Sequence, residues 1–145
     1  MTENHVIRVL IADDFKLLRD VIRLYLERAE DIEVIDEAPN LYDALDSAKA
    51  LQPDVIIMND YLPPMDSAHA AVLFRERGFA GSILTVSMLP ERDLIQRSFE
   101  SGVNGFMHKD EIDEYLIDAI RRVHDGERYF SPKAKNAADG FQNQK

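Results

Sequence analysis

The chain has 145 residues, 46% of them apolar and 30% charged, with a formal net charge of -10 and no cysteine. One domain of this length buries roughly 68–70% of the surface its unfolded chain exposes, so a core forms without disulfide or structural metal. The missing cysteines exclude disulfides, thiol catalysis and zinc–thiolate centres. The acidic balance argues against a grip on a phosphate backbone, so no nucleic acid is expected to bind this domain alone. No apolar run approaches the ~20 residues of a membrane span, and the first residues lack an apolar signal segment. The expected setting is the cytoplasm, with no membrane partner.

In chain order, residues 6–12 read as a strand, apolar except for Arg8. Leu17, Leu18, Val21, Ile22 and Tyr25 then repeat at helical spacing. A short strand follows at 32–35, and a helix carrying Leu41, Ala44, Leu45, Ala48 and Leu51 is stopped by Pro53. Residues 55–58 form an uninterrupted apolar run of strand length, followed by a helix at about 68–77 closed by Gly78. A fourth strand at 83–86 leads to a helix marked by Leu94, Ile95 and Ser98 and closed by Gly102. Residues 105–107 are the fifth strand. Ile112, Leu116, Ala119, Ile120 and Val123 mark the last helix, ended by Gly126. Residues 131–145 lose apolar periodicity and read as a polar C-terminal tail or linker stump beyond a domain of residues 1–130.

Five strands each followed by a helix predict an α/β fold: a doubly wound, five-stranded parallel sheet with five helices, buried on both faces. A closed barrel would take eight such units. In open parallel sheets, ligands sit beyond the carboxyl ends of the strands. Here those ends carry Asp13 and Asp14, Asn59 and Asp60, Ser87, and His108 and Lys109. Adjacent carboxylates facing an amide, a hydroxyl and an ammonium suit a hard cation together with a phosphoryl group. Any one such residue could merely cap or turn the chain, but four strand ends converging on one edge argue for a site.

The motifs Val-Leu-Ile-Ala-Asp-Asp (9–14), Pro-Asp-Val-Ile-Ile-Met-Asn (53–59), Leu-Pro-Pro-Met-Asp-Ser (62–67), Ile-Leu-Thr-Val-Ser (83–87) and Gly-Val-Asn-Gly-Phe-Met-His-Lys-Asp (102–110), in this order and spacing, resemble a response-regulator receiver domain. The likeness covers residues 6–130 and is to the class that precedes a NarL/FixJ-type helix-turn-helix in full-length regulators. The resemblance implies a flavodoxin-like sheet of strand order 2-1-3-4-5. It implies Asp13 and Asp14 as the acidic pair that binds Mg2+, Tyr61 as donor of a backbone carbonyl to the ion, Ser87 as the switching hydroxyl, Phe106 as the aromatic that follows it, and Lys109 as the phosphoryl-contacting lysine.

The phosphoacceptor position falls on Asn59. From Asn59 a proline stands at plus four (Pro63) and Met65-Asp66-Ser67 stands where Met-Asp-Gly belongs, whereas an acceptor at Asp60 shifts the later motif by one. Alternation along a strand would turn Asp60 away if Asn59 faces the crevice. A carboxylate forms an acyl phosphate; a neutral amide gives no stable equivalent. Asn59 also weakens Mg2+ binding and deprives Lys109 of a charged partner. Three readings are open: a natural pseudo-receiver, an engineered phosphorylation-blocked receiver, or a chain phosphorylated elsewhere. Phe15, Ser67 and Met88 also depart from the family pattern. The expected function is signalling through protein contacts and not catalysis, as the regulatory part of a transcriptional regulator. Its expected partners are a histidine kinase or other signalling protein and a second copy meeting the final helix near Arg121 and Arg122. The rival readings are a magnesium-dependent phosphatase and a flavodoxin-like flavin protein. Asp13-Asp14-Phe15-Lys16 would repel a flavin phosphate, and the second acid of a phosphatase nucleophile pair is missing.

Overall fold

A computed structural model describes residues 5–139. The elements run β1 (Ile7–Ala12), α1 (Lys16–Leu26), β2 (Ile32–Ala38), α2 (Leu41–Leu51), β3 (Val55–Asn59), a hairpin of β4 (Tyr61–Leu62) and β5 (Met65–Asp66), α3 (Ser67–Glu76), β6 (Ser82–Ser87), α4 (Arg92–Glu100), β7 (Gly105–His108), a 3-10 turn (Lys109–Glu111), α5 (Ile112–His124), β8 (Tyr129–Phe130) and α6 (Pro132–Asp139). The main sheet is parallel in the order β2-β1-β3-β6-β7-β8. Its first five strands reproduce the expected order. The sixth strand, the hairpin and α6 are additions.

Alternation within the central strands distributes the core. Val9, Ile11, Val55, Ile57, Leu84, Val86 and Met107 form one buried cluster with α1 and α5 residues such as Ile22, Leu116 and Ile120. Leu10, Ala12, Ile56, Met58 and Ile83 form the other with Leu45 of α2 and Phe74 of α3. Burial on both faces explains why these strands are continuously apolar. Local signals set the helix ends. The Asn40 and Asp66 side chains accept the backbone N–H groups of Asp43 and His69 at 2.8 and 2.9 Å, capping α2 and α3. Gln52 takes a left-handed conformation at φ 49°, ending α2 before Pro53.

The expectation of a polar tail from residue 131 gives way to α6, within which Ala134 is fully buried against Ile95 and Phe106. Single small apolar residues among polar ones gave no periodic signal, but a docked helix buries only one stripe. Ser131 and Glu111 anchor its start: Ser131 Oγ accepts the His108 and Ala134 N–H groups at 3.0 and 3.4 Å, and Glu111 Oε1 accepts the Lys133 N–H at 3.1 Å. A carboxylate at a helix N-terminus meets unsatisfied N–H groups and the positive dipole end. Residues 140–145 of the expected tail lie outside the described residues.

Candidate functional site

Strand register brings the polar termini together. Ala12 pairs with Met58, Asn59 with Val86, and Ser87 with His108, so β1, β3, β6 and β7 end on one edge. Asp13 follows β1 and is 2% exposed. Its Oδ1 accepts the Phe15 N–H at 2.8 Å, and its backbone carbonyl accepts Arg19 at 2.7 Å. Burial pushes the Asp13 carboxyl above its usual range; the Phe15 bond and the Lys109 and Arg19 charges oppose this, and Asp14 adds to it. Lys109, half-buried at the start of the 3-10 turn, therefore enters the site's electrostatics through Asp13, while Asp14 is exposed.

Asn59 ends β3 half-buried. Its Nδ2 donates to the Tyr61 carbonyl at 2.8 Å, and its Oδ1 is buried without a hydrogen-bond partner. The Tyr61 carbonyl, expected to face a cation, is thus engaged by the amide. Ser87 is fully buried; its Oγ donates to Asp60 Oδ2 at 2.7 Å and accepts the Leu89 N–H at 3.2 Å. The expectation that Asp60 turns away from the site is corrected here. Alternation applies only within a strand, and β3 ends at Asn59; beyond it the Asp60 N–H bonds the Val86 carbonyl and its own carbonyl takes the Ser67 N–H. That turn carries the Asp60 carboxylate to Ser87. Sequence reasoning missed this role, and the only available signal was a second acid beside the acceptor position.

Phe106 is fully buried, packed with Ile95 and Ala134, so the expected switch aromatic touches α6. Phe15, Tyr61, Met88 and Leu89, in or beside the loops that follow the strands, are 50–79% exposed. The donor set fits a hard cation in part. Asp14, the free oxygen of Asp13 and the unpartnered Asn59 Oδ1 are oxygen donors of the type magnesium takes. The Tyr61 carbonyl already accepts one hydrogen bond, from Asn59, and among the described residues no three acidic or histidine side chains group to hold a metal. Arg121 and Arg122 are engaged within the chain: Arg121 holds Asp31 through bonds of 2.9 and 2.8 Å, and Arg122 holds Asp118 at 2.8 Å.

The family model for the response regulator receiver domain matches residues 9–121. Among curated proteins, the chain is 34% identical over 128 residues to the transcriptional regulatory protein DesR of Bacillus subtilis, covering 88% of this chain and 63% of that protein. It is 31% identical over 127 residues to the response regulator protein VraR of Staphylococcus epidermidis, covering 88% and 61%. The chain thus spans less than two thirds of these relatives. Among solved structures, a two-component response regulator of the LuxR family from Aurantimonas superposes with a TM-score of 0.89 at 25% identity, covering 95% of this chain and 99% of that one. The receiver domain of Thermotoga maritima CheB gives 0.77 at 25% identity, covering 83% and 98%. Among the described residues no helix is long and apolar enough to cross a membrane.

Proposed function

This chain belongs to the response regulator receiver domain family, with relatives among the NarL/LuxR-type regulators, and we propose that it is a receiver module that signals without aspartyl phosphorylation. One observation carries the reading: the acceptor position holds an amide, and the hydroxyl beside it is bonded to a neighbouring carboxylate. The Asn59 amide, at the acceptor position, bonds the Tyr61 carbonyl, and the Ser87 hydroxyl is given to Asp60. An amide cannot form an acyl phosphate, and a hydroxyl already bonded to a carboxylate is not free to follow one.

The module then acts through protein contacts in the cytoplasm and not as an enzyme, its partner a histidine kinase or another signalling protein. Asp13, Asp14 and Asn59 Oδ1 would hold Mg2+ weakly, where the ion supplies charge neutralisation; Lys109 already supplies part of it within the chain. Self-association through Arg121 and Arg122 loses support, since both arginines have partners in their own chain. The test is incubation with acetyl phosphate and magnesium followed by intact-mass measurement. No added phosphate is expected. A labile phosphate on any carboxylate would overturn the reading, and one mapped to Asp60 would make that residue the acceptor.

A further inference from the structure

At the opposite end of the sheet lies a cavity of about 530 Å³, walled by the C-terminal turns of α2 and α3 and the entries to β3 and β6. Its floor is apolar: Leu45, Ala48 and Phe74 line it and are 4%, 6% and 1% exposed. Its rim carries two cations, Lys49 and Arg77. Most basic side chains of this acidic chain are committed internally, Arg19 and Arg23 to Glu37, Arg97 to Asp66 and Asp93, Arg121 to Asp31 and Arg122 to Asp118. The side chains of Lys49 and Arg77 have no hydrogen bond, ion pair or ring contact with any described residue. Two cationic side chains without a partner among the described residues therefore line one cavity.

The negative groups nearby are offset in part. Arg8 donates to the Leu51 and Gln52 carbonyls at 2.8 and 2.9 Å, offsetting the negative end of α2. Asp54, which also lines the cavity, accepts the backbone N–H of Arg8 at 2.9 Å and keeps its negative charge, against the two cations of the rim. One wall is held rigid. The Phe79 ring meets Phe74 edge-on at 6.1 Å and lies 5.5 Å from the Arg75 guanidinium. A side chain at position 81 would strike the Asp54 carbonyl oxygen as well as that ring, each at 2.6 Å, so the close approach of the loop to the entry of β3 requires glycine. Arg75 also pins the loop by donating to the Phe79 and Gly81 carbonyls at 2.8 and 2.7 Å.

We infer that this cavity is a second binding site, for a small organic carboxylate with an aromatic or apolar body. The volume falls in the range of ligand pockets, which pair an apolar lining with a few convergent polar groups. The planar Arg77 fork matches a carboxylate and Lys49 adds a point charge. The inference is independent of the phosphorylation-free reading of the Asn59 site.

The test is titration of the full chain with 2-naphthoate, followed by amide chemical shifts. Saturable shifts are expected at residues 48–54 and 77–82. The uncharged isostere 2-naphthamide is expected to bind at least about tenfold more weakly, as is naphthoate to the exposed-rim double variant Lys49→Glu, Arg77→Glu. Circular dichroism of that variant verifies its fold, and Lys49→Ala, Arg77→Ala serves if charge reversal unfolds it. No saturable shift, shifts confined to the Asn59 end, equal binding of the amide, or undiminished binding by the variant would each overturn the inference. Saturation by an acidic aromatic peptide where naphthoate fails would also overturn it, in favour of a protein partner.

Discussion

Asn59 and Asp60 divide between them what a single acceptor would do. In the proposed reading Asn59 occupies the acceptor position without a carboxylate; Asp60 has a carboxylate and bonds the Ser87 hydroxyl at 2.7 Å. Restoring the acid at position 59 supplies a nucleophile beside Asp13, Asp14 and Lys109. Asn59→Asp is therefore expected to take phosphate from acetyl phosphate, read as added mass that is lost on mild base treatment. Adding Asp60→Ala releases Ser87 for the phosphoryl oxygens and is expected to raise the modified fraction further. If Asn59→Asp refuses phosphate, the explanation in terms of one missing carboxylate is wrong. Met88 and Phe15, 56% and 59% exposed beside the site, then become the obstacles to examine.

At the scale of elements, α1 is tied to β2 by Glu37, which accepts Arg19 and Arg23 at 2.9 and 2.7 Å. Burial tends to raise the Glu37 carboxyl, but the two arginines outweigh it and hold it below its usual value of 4.5. A carboxyl depressed in the folded state adds stability above its unfolded value and loses it as pH falls through the folded one. Glu37→Gln is expected to cost about 1–2 kcal/mol at neutral pH. The gap from the parent should close as pH drops below 4.5, in denaturant melts at several pH values. A gap independent of pH would assign the cost to packing. α6 is the second such element. The Phe99 and Phe130 rings meet at a tilt of 45° with 4.9 Å between centroids, Arg128 lies 4.2 Å over Phe99, and Ala134 packs in the same cluster as Phe106. Ala134→Glu would bury a charge there, so the helix should undock at a cost of about 1–3 kcal/mol. Amide exchange confined to residues 132–139 should accelerate while the central strands stay protected; unchanged exchange would mean α6 is not held by Ala134.

For the whole molecule, a net charge of -10 with most arginines paired internally leaves little positive surface for a polyanion. Binding to duplex DNA depends on lysines and arginines displacing counterions from phosphates. The chain by itself is expected to leave the anisotropy of a labelled duplex unchanged at physiological salt. A saturable rise that fades with salt would reveal a basic surface the charge balance hides. The chain spans 63% of DesR and 61% of VraR.

The alternation of apolar strands and periodic helices, and the placing of Asp13, Asp14, Asn59, Ser87 and Lys109 at strand ends, were determined by sequence alone. Buried parallel strands and amphipathic helices write their periods directly into the chain. The lesser elements were not legible. β8 has two residues and α6 carries one fully buried alanine, too little for a period to register until partners are in place. The link between Asp60 and Ser87 joins residues 27 positions apart and depends on how the chain turns after β3, which strand alternation does not specify. The pairing of Arg121 with Asp31 spans 90 positions. Such contacts were decided by the tertiary structure, because a side chain's partner is set by the packing of separate elements and not by its neighbours in the chain.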